Sequence, residues 1–397
     1  MTVKLRYIRI TAAVLIALII MLGMPVCAVP DAPCSVCAVS LEDPMPFDLD
    51  CASAVLMEAE TGTVLYNKNG SEPLPPASVT KVMTLLLVME AIDDGKLALT
   101  DKLTVSEYAA SMGGSQVYLE PGEEMTVEDL IKSVVISSAN DAAVTLAEAV
   151  AGSETAFINM MNERAASLGM SNTRFENATG LDDTAENHVT SALDIAIMSR
   201  ALIAHPLILQ YSSIWMDSIR DGAFGLTNTN RLIRFYSGAT GLKTGSTSKA
   251  KFCISATACR DGMHLIAVIM GAPTRDIRNE AAKKLLDHGF ANYAVYRDIG
   301  QRASDIKVMG GVEDACATAH QGFSALLSKG EASKVSKEIE IDEYVKAPVK
   351  AGDIVGKVRY SVDGKMIGSV DVVCIAEIEK IGFFKLLGRM LASFSLS

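Results

Sequence analysis

Positive charge is in short supply. The chain carries 36 lysines and arginines against 47 acidic residues, a net charge of −11. That argues against nucleic-acid binding, which asks for a basic face. It also argues against wholesale electrostatic adhesion to anionic lipid, while leaving local basic segments able to adhere. Histidine is scarce too. There are five, none accompanies a G-x-S-x-G stretch, and a Ser-His-Asp hydrolase elbow therefore has no support. Cys34-x-x-Cys37 has no second cysteine pair or histidine cluster nearby, which argues against zinc. The uncharged run from Ile10 to Met24 is too short for a comfortable membrane span.

What is present is ample. At 397 residues and 49% hydrophobic, the chain can bury a sizeable core and is long enough for two or three domains. Residues 1–28 read as a secretory signal peptide. Lys4, Arg6 and Arg9 precede the apolar run, and Val26-Cys27-Ala28 resembles a small-residue cleavage site; an uncleaved anchor is the alternative. Residues 29–47 read as a flexible Pro/Ala/Ser-rich leader. Export would permit disulfides among the eight cysteines. Cys253 and Cys259 share one expected strand, about 20 Å apart at about 3.3 Å per residue, beyond bridging reach. They read as small buried hydrophobes.

The folded part opens with strands at Ala52–Met57 and Thr63–Tyr66, joined by a Glu60-Thr61-Gly62 turn. A helix follows from Ser78 through the apolar run Val82–Met89, which has no polar stripe and should be buried all round. Leu130, Val134 and Val135 recur at helical spacing up to Ser137-Ser138-Ala139-Asn140-Asp141. A second helix then runs through to Glu163, so the polar cluster reads as an inter-helix corner. Ser191–Ala204 is another helix. Strands come next around Gly241–Gly245, Lys251–Ala258 and His264–Met270, with Asp261-Gly262 closing a hairpin. Glu280–His288 is a closing helix. The expectation for 48–293 is one sheet built from both chain ends with a helical lobe inserted between them.

Residues 297–377 change texture. Short alternating segments and a turn at Asp363-Gly364 predict a small all-β domain with no titratable cluster. Residues 378–397 predict an amphipathic helix. Phe383, Phe384, Leu386, Leu387, Met390, Leu391 and Phe394 fall on one side, and Gly382, Lys385, Arg389 and Ser393 on the other. This reads as interfacial membrane attachment, with docking on the β domain as the alternative.

The chemistry centres on Pro76-Ala77-Ser78-Val79-Thr80-Lys81. Residues i and i+3 of a helix lie on one face, about 5–6 Å apart at Cβ, and a helix start adds free N–H donors. A nucleophile, a base and anion-stabilising donors would share one turn. Alone the pattern is weak. One or two S-x-x-K are expected by chance in such a length, and Ser246…Lys249, Ser248…Lys251 and Ser304…Lys307 also match. Ser78 alone reads equally well as a helix-start serine, and Ser138 or Asn140 as an N-cap.

The order Ser78-x-x-Lys81, Ser138-x-Asn140, Lys243-Thr244-Gly245 resembles the penicillin-recognising serine enzymes. Together with Asn177-Ala178-Thr179-Gly180-Leu181 and Gly241-Leu242-Lys243-Thr244-Gly245, the chain is similar to the D-alanyl-D-alanine carboxypeptidases among the low-molecular-mass penicillin-binding proteins. The resemblance implies an α+β architecture. A β-lactamase/transpeptidase-like catalytic domain, with an antiparallel sheet flanked by helices, is followed by the β domain and the amphipathic helix.

The resemblance also implies roles. Ser78 attacks the carbonyl between two terminal D-alanines of a peptidoglycan stem peptide, and it is acylated by β-lactam antibiotics. Lys81 is the base, its pKa lowered by burial and by Lys243. Ser138 relays a proton, and Asn140 orients Lys81 or holds the substrate amide. Lys243 and Thr244 meet the terminal carboxylate, and Gly245 lets the substrate backbone approach the strand. The N–H groups of Ser78 and Ser246 hold the oxyanion. Arg278, just before the closing helix, is a further carboxylate partner. No metal or organic cofactor is needed. The implied location is the outer face of the cytoplasmic membrane.

The sequence departs from the family's frequent pattern at Ala139, Ser246 and Lys251, which bears on substrate preference and rate. A β-lactamase is disfavoured because no E-x-x-L-N stretch follows Asn140. An endopeptidase or transpeptidase acting on cross-links stays open, as does a non-catalytic wall-binding protein, although the intact set of functional groups argues against the latter.

Overall fold

Ser53–Glu58 (β1), buried along its whole length, and Val64–Lys68 (β2) form an antiparallel pair. The computed structural model describes residues 48–181 and 185–394. The signal segment, the leader, Cys27, Cys34 and Cys37 therefore lie outside the described residues. Three long strands near the end of the catalytic region, Ala239–Thr247 (β3), Lys251–Arg260 (β4) and Met263–Ala272 (β5), complete a five-stranded antiparallel sheet in the order β2-β1-β5-β4-β3. Both chain ends thus supply the sheet, as the pattern of strands predicts. Asp261 and Gly262 both take positive φ, 49° and 77°, in the tight β4–β5 turn.

Helices cover the two faces. Lys81–Asp93 (α1) is buried continuously from Lys81 to Met89, so its unbroken apolar run has protein on every side. Val127–Ile136 (α2) is capped by Thr126, whose side chain accepts from Asp129 N–H. The expected single helix through Glu163 is two: Asn140–Ala151 (α3) and Glu154–Ser167 (α4). Gly152 ends the first in the left-handed conformation (φ 80°), and Ser153 caps the second. The apolar spacing carries on through the break, and this hides it in the sequence. Ala192–Ile203 (α5) starts on its Ser191 cap as expected. The closing helix is longer than expected, Arg275–Asn292 (α6), starting at a Thr274 cap. Arg278 consequently lies inside it rather than before it.

Strands Tyr293–Asp298 (β6), Ile306–Met309 (β7), Ala315–Cys316 (β8), Thr318–His320 (β9), Phe323–Ser328 (β10), Val335–Ile341 (β11), Tyr344–Lys346 (β12), Ile354–Val362 (β13) and Lys365–Cys374 (β14) follow. They form the sheets β6-β10, β8-β7-β12 and β9-β14-β13-β11 around a core of its own, in which the Phe323 and Tyr360 rings stack at 4.0 Å. Contrary to expectation, titratable groups do gather here. Asp298 pairs with Lys337 at 2.6 Å and accepts from Tyr360 Oη at 2.6 Å, and Lys337 lies 3.1 Å from His320 Nε2. The members come from four separated stretches of chain, so no local pattern announces them. Arg297 and Ser324 both bond the Glu60 carboxylate in the β1–β2 turn, tying this β unit to the first sheet.

The tail also differs in part. Ile378 is 1% exposed in the β core and pairs with Val349, so it belongs to the β unit. Helix Phe383–Phe394 (α7) comes after it. Arg389 turns toward the β unit, donating to Asp314 at 2.8 Å and to carbonyls of residues 311 and 312, while Phe383 and Phe384 stand 72% and 85% exposed.

Candidate active site

Three sequence-distant segments meet at one end of the sheet. Residues 77–80 form a single 3-10 turn, and Lys81 begins α1 directly after it. The Lys81 Nζ atom lies 3.0 Å from Ser78 Oγ and 2.7 Å from Thr179 O. Lys81 is wholly buried at 0% exposure while Ser78 is half-buried, so the hydroxyl faces the accessible side. Burial is the main force holding the Lys81 ammonium well below the ordinary lysine pKa; the nearby Lys243 charge adds to it, and Asp141 opposes it. The arrangement is a hydroxyl beside an amine that deprotonates readily.

The corner after α2 supplies the second segment. Ser138 sits at φ 65°, and its Oγ accepts from Lys243 Nζ at 2.8 Å. The N-cap position of α3 is Ala139, without a side-chain cap, so neither Ser138 nor Asn140 caps that helix. Asn140 does not orient Lys81. Its Nδ2 donates to Gly113 O at 2.6 Å, and its Oδ1 is buried with no hydrogen-bond partner among the described residues. That free acceptor can take an N–H donor entering the site. The neighbouring Asp141 accepts from Val117 and Leu119 N–H, clamping the 113–119 loop over α3.

Strand β3 supplies the third. Lys243 is 1% exposed and bonds Ser138 and Thr244 O. Burial, with help from Arg278, lowers its pKa to about 7. Thr244 is buried and donates to Thr229 Oγ1 at 2.8 Å. A side chain on Gly245 would meet Ser78 N at 2.8 Å, Pro76 O at 2.9 Å and Val79 N at 2.9 Å. The glycine is therefore needed for the approach of the Ser78 turn itself, a requirement separate from the expected approach of the substrate backbone. Ser246, the next residue along β3, is exposed. Arg278 is 3% exposed, donates to Asn279 Oδ1 and Cys253 O, and lies close enough to Lys243 to act on its charge. It is not a surface arginine.

Sequence reasoning missed Thr179 as the Lys81 acceptor, Thr229, and the 113–119 loop. It also missed why Gly180 is a glycine. At φ 83°, a Cβ there would fall 1.9 Å from Ala77 O, in the turn that carries Ser78. The sequence shows the Asn-Ala-Thr-Gly stretch as a loop that carries part of the family resemblance, but not its packing on Ala77 and Lys81, because those partners are about a hundred residues upstream. Replacing Gly180 with alanine is expected to displace the Ser78 turn, lowering turnover at least about tenfold together with thermal stability. Unchanged kinetics and melting would contradict that packing.

A serine–lysine pair, a serine–lysine corner and a Lys-Thr-Gly strand on an antiparallel sheet occur together in known proteins. The family model described as D-alanyl-D-alanine carboxypeptidase matches residues 38–274, more than half of the chain. This protein belongs to the D-alanyl-D-alanine carboxypeptidase family. Residues 295–380 match the model described as penicillin-binding protein 5, C-terminal domain. The carboxypeptidase chain is 43% identical over 353 residues to D-alanyl-D-alanine carboxypeptidase DacF of Bacillus subtilis, covering 87% of this chain and 90% of the relative. It is 31% identical to DacA of Escherichia coli over 347 residues, covering 85% of each. Penicillin-binding protein 5 from Haemophilus influenzae superposes with a TM-score of 0.74 at 31% identity, covering 85% of this chain and all of that one. The carboxypeptidase architecture of a penicillin-recognising domain followed by a β unit is thus shared along nearly the whole described length.

Proposed function

We propose that this serine-type D-Ala-D-Ala carboxypeptidase trims peptidoglycan stem peptides through an acyl-enzyme on Ser78. The observation that carries the reading is the buried Lys81 amine within 3.0 Å of Ser78 Oγ. Neutral Lys81 donates one hydrogen to Thr179 O and keeps its lone pair for the Ser78 proton. Ser78 Oγ then bonds the carbonyl carbon between the two D-alanines, and the oxyanion rests on the N–H groups of Ser78 and Ser246. Ser138, hydrogen-bonded to Lys243, passes a proton to the leaving amine. Terminal D-alanine departs, and water hydrolyses the ester. The substrate carboxylate meets Lys243, Thr244 and Arg278, and the Asn140 Oδ1 acceptor takes a substrate amide N–H. A β-lactam ring opened by Ser78 has no leaving group to diffuse away, so its adduct persists. The test is release of free D-alanine from a stem-peptide mimic ending in D-Ala-D-Ala. A penicillin adduct on Ser78 without D-alanine release would redirect the reading to cross-linked substrates or another acyl acceptor.

The same reading places the protein on the outer face of the cytoplasmic membrane, with α7 in the interface. Support comes from the exposed Phe383, Phe384, Leu386 and Leu387 beside a polar side that already has partners in the β unit. Among the described residues no single helix is long and apolar enough to cross a membrane. Deleting residues 382–397, which spares buried Ile378, should release the signal-cleaved protein from membranes with D-alanine release intact. Unaltered sedimentation with membranes would refute the attachment.

A further inference from the structure

Two cysteines that are 58 positions apart in sequence meet in the core of the β unit. Thr318 and Cys374 are register partners on β9 and β14. Beyond them, Ile375 N–H donates to Ala317 O at 3.0 Å, and the Cys316 thiol reaches Ala376 O at 3.6 Å. Residues 316–318 thus run antiparallel beside 374–376, and Cys316 and Cys374 sit diagonally on the same face. Diagonal neighbours in a regular ladder stand about 7–8 Å apart, at the limit of disulfide reach. Here the strand is broken at Ala317, between β8 and β9, so that regular spacing does not hold; the Cys316 thiol acts on the Cys374 thiol across the gap, and both are free thiols in this structure. Both side chains are 1% exposed. Cys253 and Cys259, on the single strand β4, have no such relation.

We propose that Cys316 and Cys374 are a disulfide pair, closed as the chain folds in an oxidising compartment. Its occurrence in the cell rests on the export reading above; its chemistry does not. The oxidant is a disulfide, either glutathione disulfide or that of an exported thiol oxidoreductase. One cysteine thiolate attacks a sulfur of that disulfide and expels a thiolate. The second cysteine then attacks the mixed disulfide, so the Cys316–Cys374 bond forms and the oxidant leaves fully reduced, with two electrons gained and two protons released. Burial and the adjoining thiol push the finished Cys374 thiol up to about 12, so the exchange belongs to the folding chain, before the core closes. The bond would enclose β9 through β14 and fasten the start of the β unit to the strand that leads toward α7.

The test is to refold the full chain in reduced and oxidised glutathione, trap free thiols with N-ethylmaleimide in denaturant, and map the peptides. The expected result is one linked Cys316–Cys374 peptide pair, absent after reduction and absent in C316S, with Cys253 and Cys259 recovered as maleimide adducts. Recovery of Cys316 and Cys374 as adducts from natively folded protein, or their linkage to other cysteines, overturns the proposal. Folding is judged by D-alanine release from the same sample. Release without the link counts against this pair alone, and the link without release counts against the functional reading alone.

Discussion

Ser78→Ala is expected to abolish D-alanine release, with kcat/KM falling by about 10⁴-fold or more, the scale seen when a serine nucleophile is removed from a hydrolase. Penicillin labelling should vanish in parallel, because both reactions need the same oxygen. The substitution deletes one half-buried hydroxyl that accepts from Lys81 and leaves the Gly245 contact with the turn intact. Melting should therefore change little. Retention of more than about 1% of turnover would assign the nucleophile elsewhere, since no second serine in the described site combines a buried amine with an accessible hydroxyl. Labelling should be measured by intact mass, so that acylation is read independently of turnover.

Lys81→Arg carries the second large effect. It keeps the N–H donors and about the same volume, yet a guanidinium stays protonated at any working pH, so the lone pair disappears. D-alanine release and penicillin acylation should both fall by about 10²–10⁴-fold, the usual range for general base catalysis. The wild-type pH profile gives an independent check. Lys81 must be neutral to accept the Ser78 proton, so activity should fall as pH drops through its lowered pKa. Lys243 must be charged to meet a carboxylate. In the free enzyme its pKa is about 7, so kcat/KM should decline as pH rises above 7. A bound carboxylate favours the charged lysine, so kcat should hold to higher pH than kcat/KM. If Lys81→Arg kept the wild-type acid limb, that limb would belong to another group.

Much of this was written in local chemistry. The apolar run after Lys81 foretold a helix buried on every side, because a helix without a polar stripe cannot face water. The Ser191 start of α5 and the Asp261-Gly262 turn act over a few residues, so they leave a local signature, whereas the Thr274 cap that starts α6 ahead of Glu280 emerges only in the structure. The order of the three motifs carried the family. The split at Gly152 went unseen because the apolar spacing continues across it.

By itself, the sequence determined which groups are available: a serine three residues before a lysine, a serine–asparagine corner, a Lys-Thr-Gly strand, and strands at both ends of the helical lobe. Only the tertiary structure decided what each group does to the others. Lys81 and Lys243 lose their ordinary pKa because the fold buries both and sets Lys243 near Lys81 and Arg278 near Lys243, and desolvation is a property of the packed interior. Thr179 became the Lys81 acceptor, Gly180 and Gly245 became clearances for the Ser78 turn, and Arg278 became a buried cation. Each of these needs a contact between distant segments, and distance along the chain carries no trace of such contacts.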